Sequence, residues 1–192
     1  MLAVRFTQHL FHLALPHLHA AHTMLSPTPR MKSTPPNSSS AQGMRIGIVV
    51  SQYHAEITHA MRDAARQCFL DAGGRDEDLT IIDAPGSFEL IALATALADQ
   101  QEIDAVVTLG CIITGETTHD QYIAHAVANG LAALTVSTGV PVAFGVLTCQ
   151  TLAQARERAG GKVGNKGEEA MQAAIASFGA VKAIYGIQEV TL

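Results

Sequence analysis

Four short apolar runs, each followed by residues with helical spacing, restrict this chain to an alternating α/β architecture. The runs are "MRIGIVVS" (44–51), "LTIIDAPG" (79–86), "DAVVTLGC" (104–111) and "PVAFGVLT" (141–148). They are rich in Ile, Val and Leu with few polar interruptions, the pattern of strands buried on both faces. After the first, Ile57, Met61, Ala64, Ala65 and Cys68 recur at helical spacing, and "DAGG" (71–74) supplies a glycine stop. "SFELIALATALAD" (87–99) reads as a helix apolar on nearly all sides, and "TTHDQYIAHAVANGLAALTVSTG" (117–139) as a long helix. Two helical pieces, "TLAQARERAG" (151–160) and "NKGEEAMQAAIASFG" (165–179), close the chain. Alternation of this kind requires a parallel sheet with right-handed crossovers and helices on both faces. The expectation is an α/β three-layer sandwich around a four-stranded parallel sheet.

The 192 residues suffice for one well-buried domain and fall short of two ordinary ones. All 17 Asp and Glu lie from Met44 onward with 9 of the 12 Lys and Arg, so that body carries −8 and the segment before it +3. An acidic body lacks the basic face that nucleic acid needs, which argues against a nucleic-acid partner. Cys68, Cys111 and Cys149 are widely spaced, odd in number and form no CxxC pair, which points to buried thiols in a reducing, cytoplasmic compartment. Clustered Cys and His at zinc spacing are lacking in the body.

Residues 1–43 hold five of the seven prolines and five of the nine histidines and no carboxylate, so they read as a disordered tail or an artefact of start-site choice. Translation is expected to begin near Met31 or Met44. "LFHLALPHLHAAH" is interrupted by Pro16 and four histidines and is too short for a membrane span, and it lacks the clean apolar centre of a signal peptide. No membrane partner is expected.

Ligands of parallel sheets bind beyond the carboxyl ends of the strands, and most of the unusual polar residues fall there. Tyr53 follows the first strand, Ser87 and Glu89 the second, Thr114 to His119 the third, and Thr148 the fourth. "GETTH" (115–119) can be a helix start capped by Thr117 or Thr118, with Asp120 in the first turn. The same turn offers N–H groups to an anion and sets the imidazole of His119 beside them for proton transfer. "RERAGGKVGNKG" (156–167) places Arg156, Arg158, Lys162 and Lys166 among glycines without satisfying a Walker loop. It reads either as a solvated turn or as a phosphate-binding cluster. Glu89 reads as a first-turn carboxylate or a ligand contact, and Tyr53 and Phe144 as core aromatics or as stacking surfaces at ligand-facing strand ends.

From Arg45 to about Gly186 the chain resembles the lumazine synthase family, on "IGIVVSQY", "APGSFEL", "TLGCIITGETTH", "GVPVAFGVLT" and "ERAGGKVGNKG" in that order. The resemblance implies a flavodoxin-like fold. It also implies condensation of 5-amino-6-(D-ribitylamino)uracil with 3,4-dihydroxy-2-butanone 4-phosphate to 6,7-dimethyl-8-ribityllumazine, the penultimate step of riboflavin synthesis, with no metal or organic cofactor. It makes Tyr53 the ring-stacking residue, Ser87, Phe88 and Glu89 the holders of the ribityl chain, and Cys111, Ile112 and Ile113 a backbone wall along the ring. Glu116, Thr117 and Arg158 fall to the phosphorylated substrate, Lys166 is a further substrate-binding residue, Phe144 closes the pocket from a neighbouring subunit, and His119 transfers protons. The chain departs from the family at Thr114, where a basic residue is frequent, at Ile91 for a usual proline, and at Tyr53-His54 for a common Phe-Asn pair. The implied assembly is a ring of five subunits sharing their sites, with paired rings and a sixty-subunit shell left open. Storage of a lumazine or flavin without turnover, and a carrier shell, are the alternative functions.

Overall fold

The computed structural model describes residues 40–186. The readings of residues 1–39 lie outside the described residues. Strand β1 (Ile46–Ser51) is buried along its whole length, as its uninterrupted apolar run requires. It is followed by helix α1 (Ala55–Asp71), a turn of 3-10 helix at Asp76–Asp78, strand β2 (Leu79–Ala84) and helix α2 (Leu90–Ala98). Strand β3 (Ala105–Ile113), helix α3 (His119–Thr138), strand β4 (Val142–Cys149) and helix α4 (Leu152–Glu157) continue the alternation. A short antiparallel hairpin of β5 (Ala159–Gly161) and β6 (Gly164–Asn165) then leads into helix α5 (Lys166–Ile184).

The four long strands form one parallel sheet in the order β2-β1-β3-β4. This is the three-layer, flavodoxin-like architecture expected from the alternation and the resemblance. The period of two along each strand divides its side chains between two cores. Ile46, Ile48 and Val50 pack under Ile57, Met61 and Phe69 of α1 and Met171 and Ile175 of α5. Val49, Val106 and Val146 face Leu90, Ala94 and Leu97 of α2 and Val127 and Leu131 of α3. Two buried hydroxyls are paired with backbone: Thr58 Oγ1 of α1 donates to the Ser51 carbonyl of β1 at 2.7 Å, and Thr108 Oγ1 of β3 to the Ala143 carbonyl of β4 at 3.0 Å.

The stretch from Arg156 to Gly167 is not a simple solvated turn between helices. It forms the β5–β6 hairpin, whose last residue, Asn165, ties two helices together. Its Oδ1 accepts from Gly167 N at 2.9 Å, capping α5, while its Nδ2 donates to the Ala60 carbonyl of α1 at 3.2 Å. Ahead of β1, Ala41 is fully buried and its N–H donates to the Ala72 carbonyl at 2.9 Å, so the chain is packed against the end of α1 before the first strand begins. Among the described residues no helix is long and apolar enough to cross a membrane.

Helices α1 and α5 approach closely at Gly167, where an added Cβ would lie 1.9 Å from the Met61 carbonyl oxygen. That atom is backbone and cannot swing aside. Gly179, further along α5, has nothing within 4 Å of the same position. Gly167→Ala is therefore expected to destabilise the fold by about 1–3 kcal/mol, and Gly179→Ala to stabilise it by about 0.5–1 kcal/mol. Thermal denaturation of the two variants checks this; shifts of the same sign would refute the packing described for α1 and α5.

Candidate active site

In the order β2-β1-β3-β4 the chain leaves β1 toward β2 and leaves β3 toward β4, so the two connections part and a crevice opens between the carboxyl ends of β1 and β3. A cleft of about 910 Å³ lies there. The loop after β1 supplies Tyr53 and His54, and the turn after β2 supplies Gly86 to Glu89. Cys111, Ile112 and Ile113 come from the end of β3, Gly115 and Thr117 from the turn after it, and His119, Asp120, Tyr122, Ile123 and Ala126 from the first turns of α3. Separate loops thus converge on one concave, mainly apolar site, the usual setting for a small-molecule ligand.

Each wall has a local cause. His54 occupies the left-handed region (φ 61°, ψ 48°) at the start of α1, and its ring meets Tyr53 edge-on with centroids 4.8 Å apart. This holds Tyr53 outward, 66 % exposed, as a flat surface at the cleft. Ser87 is buried, and its Oγ lies so close over Gly110 that a Cβ there would come within 2.9 Å of it. Ser87 to Glu89 form a turn before α2, which begins at Leu90 rather than at Ser87. Phe88 and Glu89 stay exposed on that turn.

Cys111 belongs to the core as well as to the cleft. Burial, reinforced by the neighbouring Cys149, pushes its thiol up to about 12. It stays protonated at neutral pH and offers no thiolate nucleophile, which leaves its backbone as the part that can serve a ligand.

The turn after β3 differs from the capping expectation. Thr118 occupies the N-cap position of α3, but its side chain makes no capping hydrogen bond because the residue has left the extended geometry such a cap needs (φ −76°, ψ 12°). Only its carbonyl is used, accepting from Gln121 and Tyr122. Among the described residues, the N–H groups from Gly115 to Asp120 have no acceptor. Unpaired N–H groups at the positive end of a 20-residue helix are the donors an anion requires, and the exposed His119 stands beside them.

Tyr53, Ser87, Phe88, Glu89, Cys111, Ile112, Ile113, Thr117 and His119 thus share one cleft. Glu116 sits exposed between two lining residues without lining the cleft itself. Phe144, Arg158 and Lys166 are not part of it. Phe144 does not stand at a strand end: it pairs with Thr108 in the body of β4, which runs on to Cys149, and its ring is 43 % exposed. The cationic cluster is also divided. Arg156 is held by both carboxylate oxygens of Glu56 at 3.0 Å, and Lys166 pairs with Glu169. Arg158 donates to the Gln154 carbonyl and has no carboxylate partner among the described residues. No Lys or Arg of the described residues lines the cleft.

His54 and Asp120 are lining residues with no expected ligand role. The departure from a common Phe-Asn pair was a signal for the first, since Asn tolerates left-handed backbone better than most residues.

Residues 43–182 match the family model for 6,7-dimethyl-8-ribityllumazine synthase. The chain belongs to this family. Its relatives include the 6,7-dimethyl-8-ribityllumazine synthase of Aquifex aeolicus (strain VF5), 45 % identical over 70 % of this chain and 88 % of the relative. The enzymes of the same name from Bacteroides fragilis (strain YCH46) and Porphyromonas gingivalis (strain ATCC 33277) are 41 % and 43 % identical, over 69 % and 71 % of this chain and 92 % and 84 % of theirs. The lumazine synthase match therefore spans every wall of the cleft.

The left-handed His54 is expected to store strain on the order of 1 kcal/mol. His54→Asn should raise the unfolding midpoint in urea; a midpoint that falls would show that the imidazole contributes more through its contact with Tyr53 than the backbone costs.

Proposed function

We propose that this chain condenses 5-amino-6-(D-ribitylamino)uracil with 3,4-dihydroxy-2-butanone 4-phosphate to 6,7-dimethyl-8-ribityllumazine, as a cytoplasmic step of riboflavin biosynthesis. The observation that carries this reading is the single cleft uniting an N–H-rich turn and His119 with the Ser87–Glu89 turn and an exposed Tyr53. Such a site suits two unlike partners. The phosphate takes the turn at Gly115 to Thr118, and the pyrimidinedione lies against Tyr53 with its ribityl chain along Ser87 to Glu89.

The reaction adds the amine to the ketone, loses water to an imine, eliminates phosphate and closes the ring by a second carbonyl condensation with loss of water. Protons move at each stage, and His119 stands where they can be passed. No protein nucleophile is needed, consistent with the protonated Cys111. Holding the two reactants in contact supplies much of the acceleration.

The site is completed by a neighbouring subunit. A phosphate in a cleft that no Lys or Arg of the described residues lines calls for a cation from elsewhere, and Arg158 is available. Phe144 arrives with it from the same neighbour. Apolar surface left on one chain fits a ring of at least five subunits: Val136 is 86 % exposed on α3, and Ile81 and Ile82 are exposed on the edge strand β2.

The test mixes purified protein with both substrates and follows product absorbance, corrected for the uncatalysed condensation. His119→Ala should lower kcat roughly 10²-fold yet leave it above the spontaneous rate. Arg158→Ala should raise KM for the phosphorylated substrate about ten-fold or more with little effect on KM for the aminouracil. Binding of the aminouracil or product with no acceleration would instead assign the chain to ligand storage.

A further inference from the structure

Three buried side-chain polar atoms among the described residues have no hydrogen-bond partner: Gln52 Nε2, Ser87 Oγ and Asp120 Oδ1. The last two belong to residues of the same cleft, one from the turn after β2 and one from the first turn of α3. Ser87 is only 7 % exposed, so bulk water does not replace the missing partner of its hydroxyl.

Asp120 is the more demanding of the two. A carboxylate only accepts hydrogen bonds, and one of its oxygens withdrawn from water without a donor is costlier than an unpaired hydroxyl. The first turn of α3 gives that oxygen no hydrogen bond. An anionic ligand group would be repelled from it. The group that fits is an uncharged one rich in N–H or O–H donors.

We propose that Asp120 is a specificity-determining residue, its buried carboxylate oxygen accepting a hydrogen bond from an N–H or O–H of the ribityl-bearing aminouracil while Ser87 engages a second polar group. This rests on the function proposed above and adds an orientation to it. The phosphate is confined to the turn at Gly115 to Thr118, and the donor-rich substrate is drawn to the carboxylate.

Calorimetric titration of the full chain with each substrate separately tests this, in wild type, Asp120→Leu and Asp120→Asn, alongside sedimentation and thermal unfolding. In Asp120→Leu the dissociation constant for the aminouracil should rise about ten-fold or more, while that for the butanone phosphate stays level or falls. Asp120→Asn keeps a neutral acceptor and should lose only a few-fold, which preserves the test if the leucine variant does not fold. Aminouracil affinity unchanged in both variants, in a wild type that turns over both substrates, overturns the role of Asp120 alone. Equal weakening for both substrates, or dissociation of the assembly at unchanged affinity, also overturns it. A wild type that binds neither substrate overturns the proposed function together with this inference.

Discussion

The hydrogen-bonded pairing of β1 with β3 is the constraint on which the rest of the molecule depends. Ile46 to Val50 pair in parallel with Ala105 to Leu109, and β2 lies on the far side of β1. That order sends α1 to one face of the sheet and α2 and α3 to the other, and the connections after β1 and β3 part, which leaves the strand ends between them open. The cleft is the space left between those loops. Each wall springs from a strand end or a helix start, which suits a site that must hold two substrates in contact.

Much of this was legible in the sequence because burial on both faces leaves an uninterrupted Ile/Val signature, and all four long strands carry enough of it to be found. The edge strand β2 kept that signature although Thr80 to Asp83 are exposed. The β5–β6 hairpin was illegible: its strands are two and three residues long and mostly Gly, too short for any period to register. Asn165 acts through long-range geometry that no local pattern encodes.

The site divides in the same way. Residues close in sequence to a strand end, such as Tyr53, Ser87 and Thr117, could be placed by topology alone. The cationic run could not be resolved, because which cation is left for a ligand depends on acids distant in sequence. Glu56 takes Arg156 from 100 positions away and Glu169 takes Lys166, which leaves Arg158 and Lys162 without a carboxylate partner for their side chains among the described residues. Phe144 lies within a strand, where sequence alone cannot say whether an aromatic ring is buried, exposed or covered by another chain.

The proposed function therefore divides the site into two halves: a cleft with His119 and the N–H-rich turn, and a surface with Phe144 and Arg158. The most direct test of that claim is the rate of product formation, at a butanone phosphate concentration well below its wild-type KM, by co-expressed, co-assembled His119→Ala and Arg158→Ala chains in equal amounts. In a shared site about a quarter of the sites combine two intact halves from adjacent chains, so the rate should exceed the mean of the two parent variants. A rate equal to that mean would show that each site is built within one chain and would contradict the account.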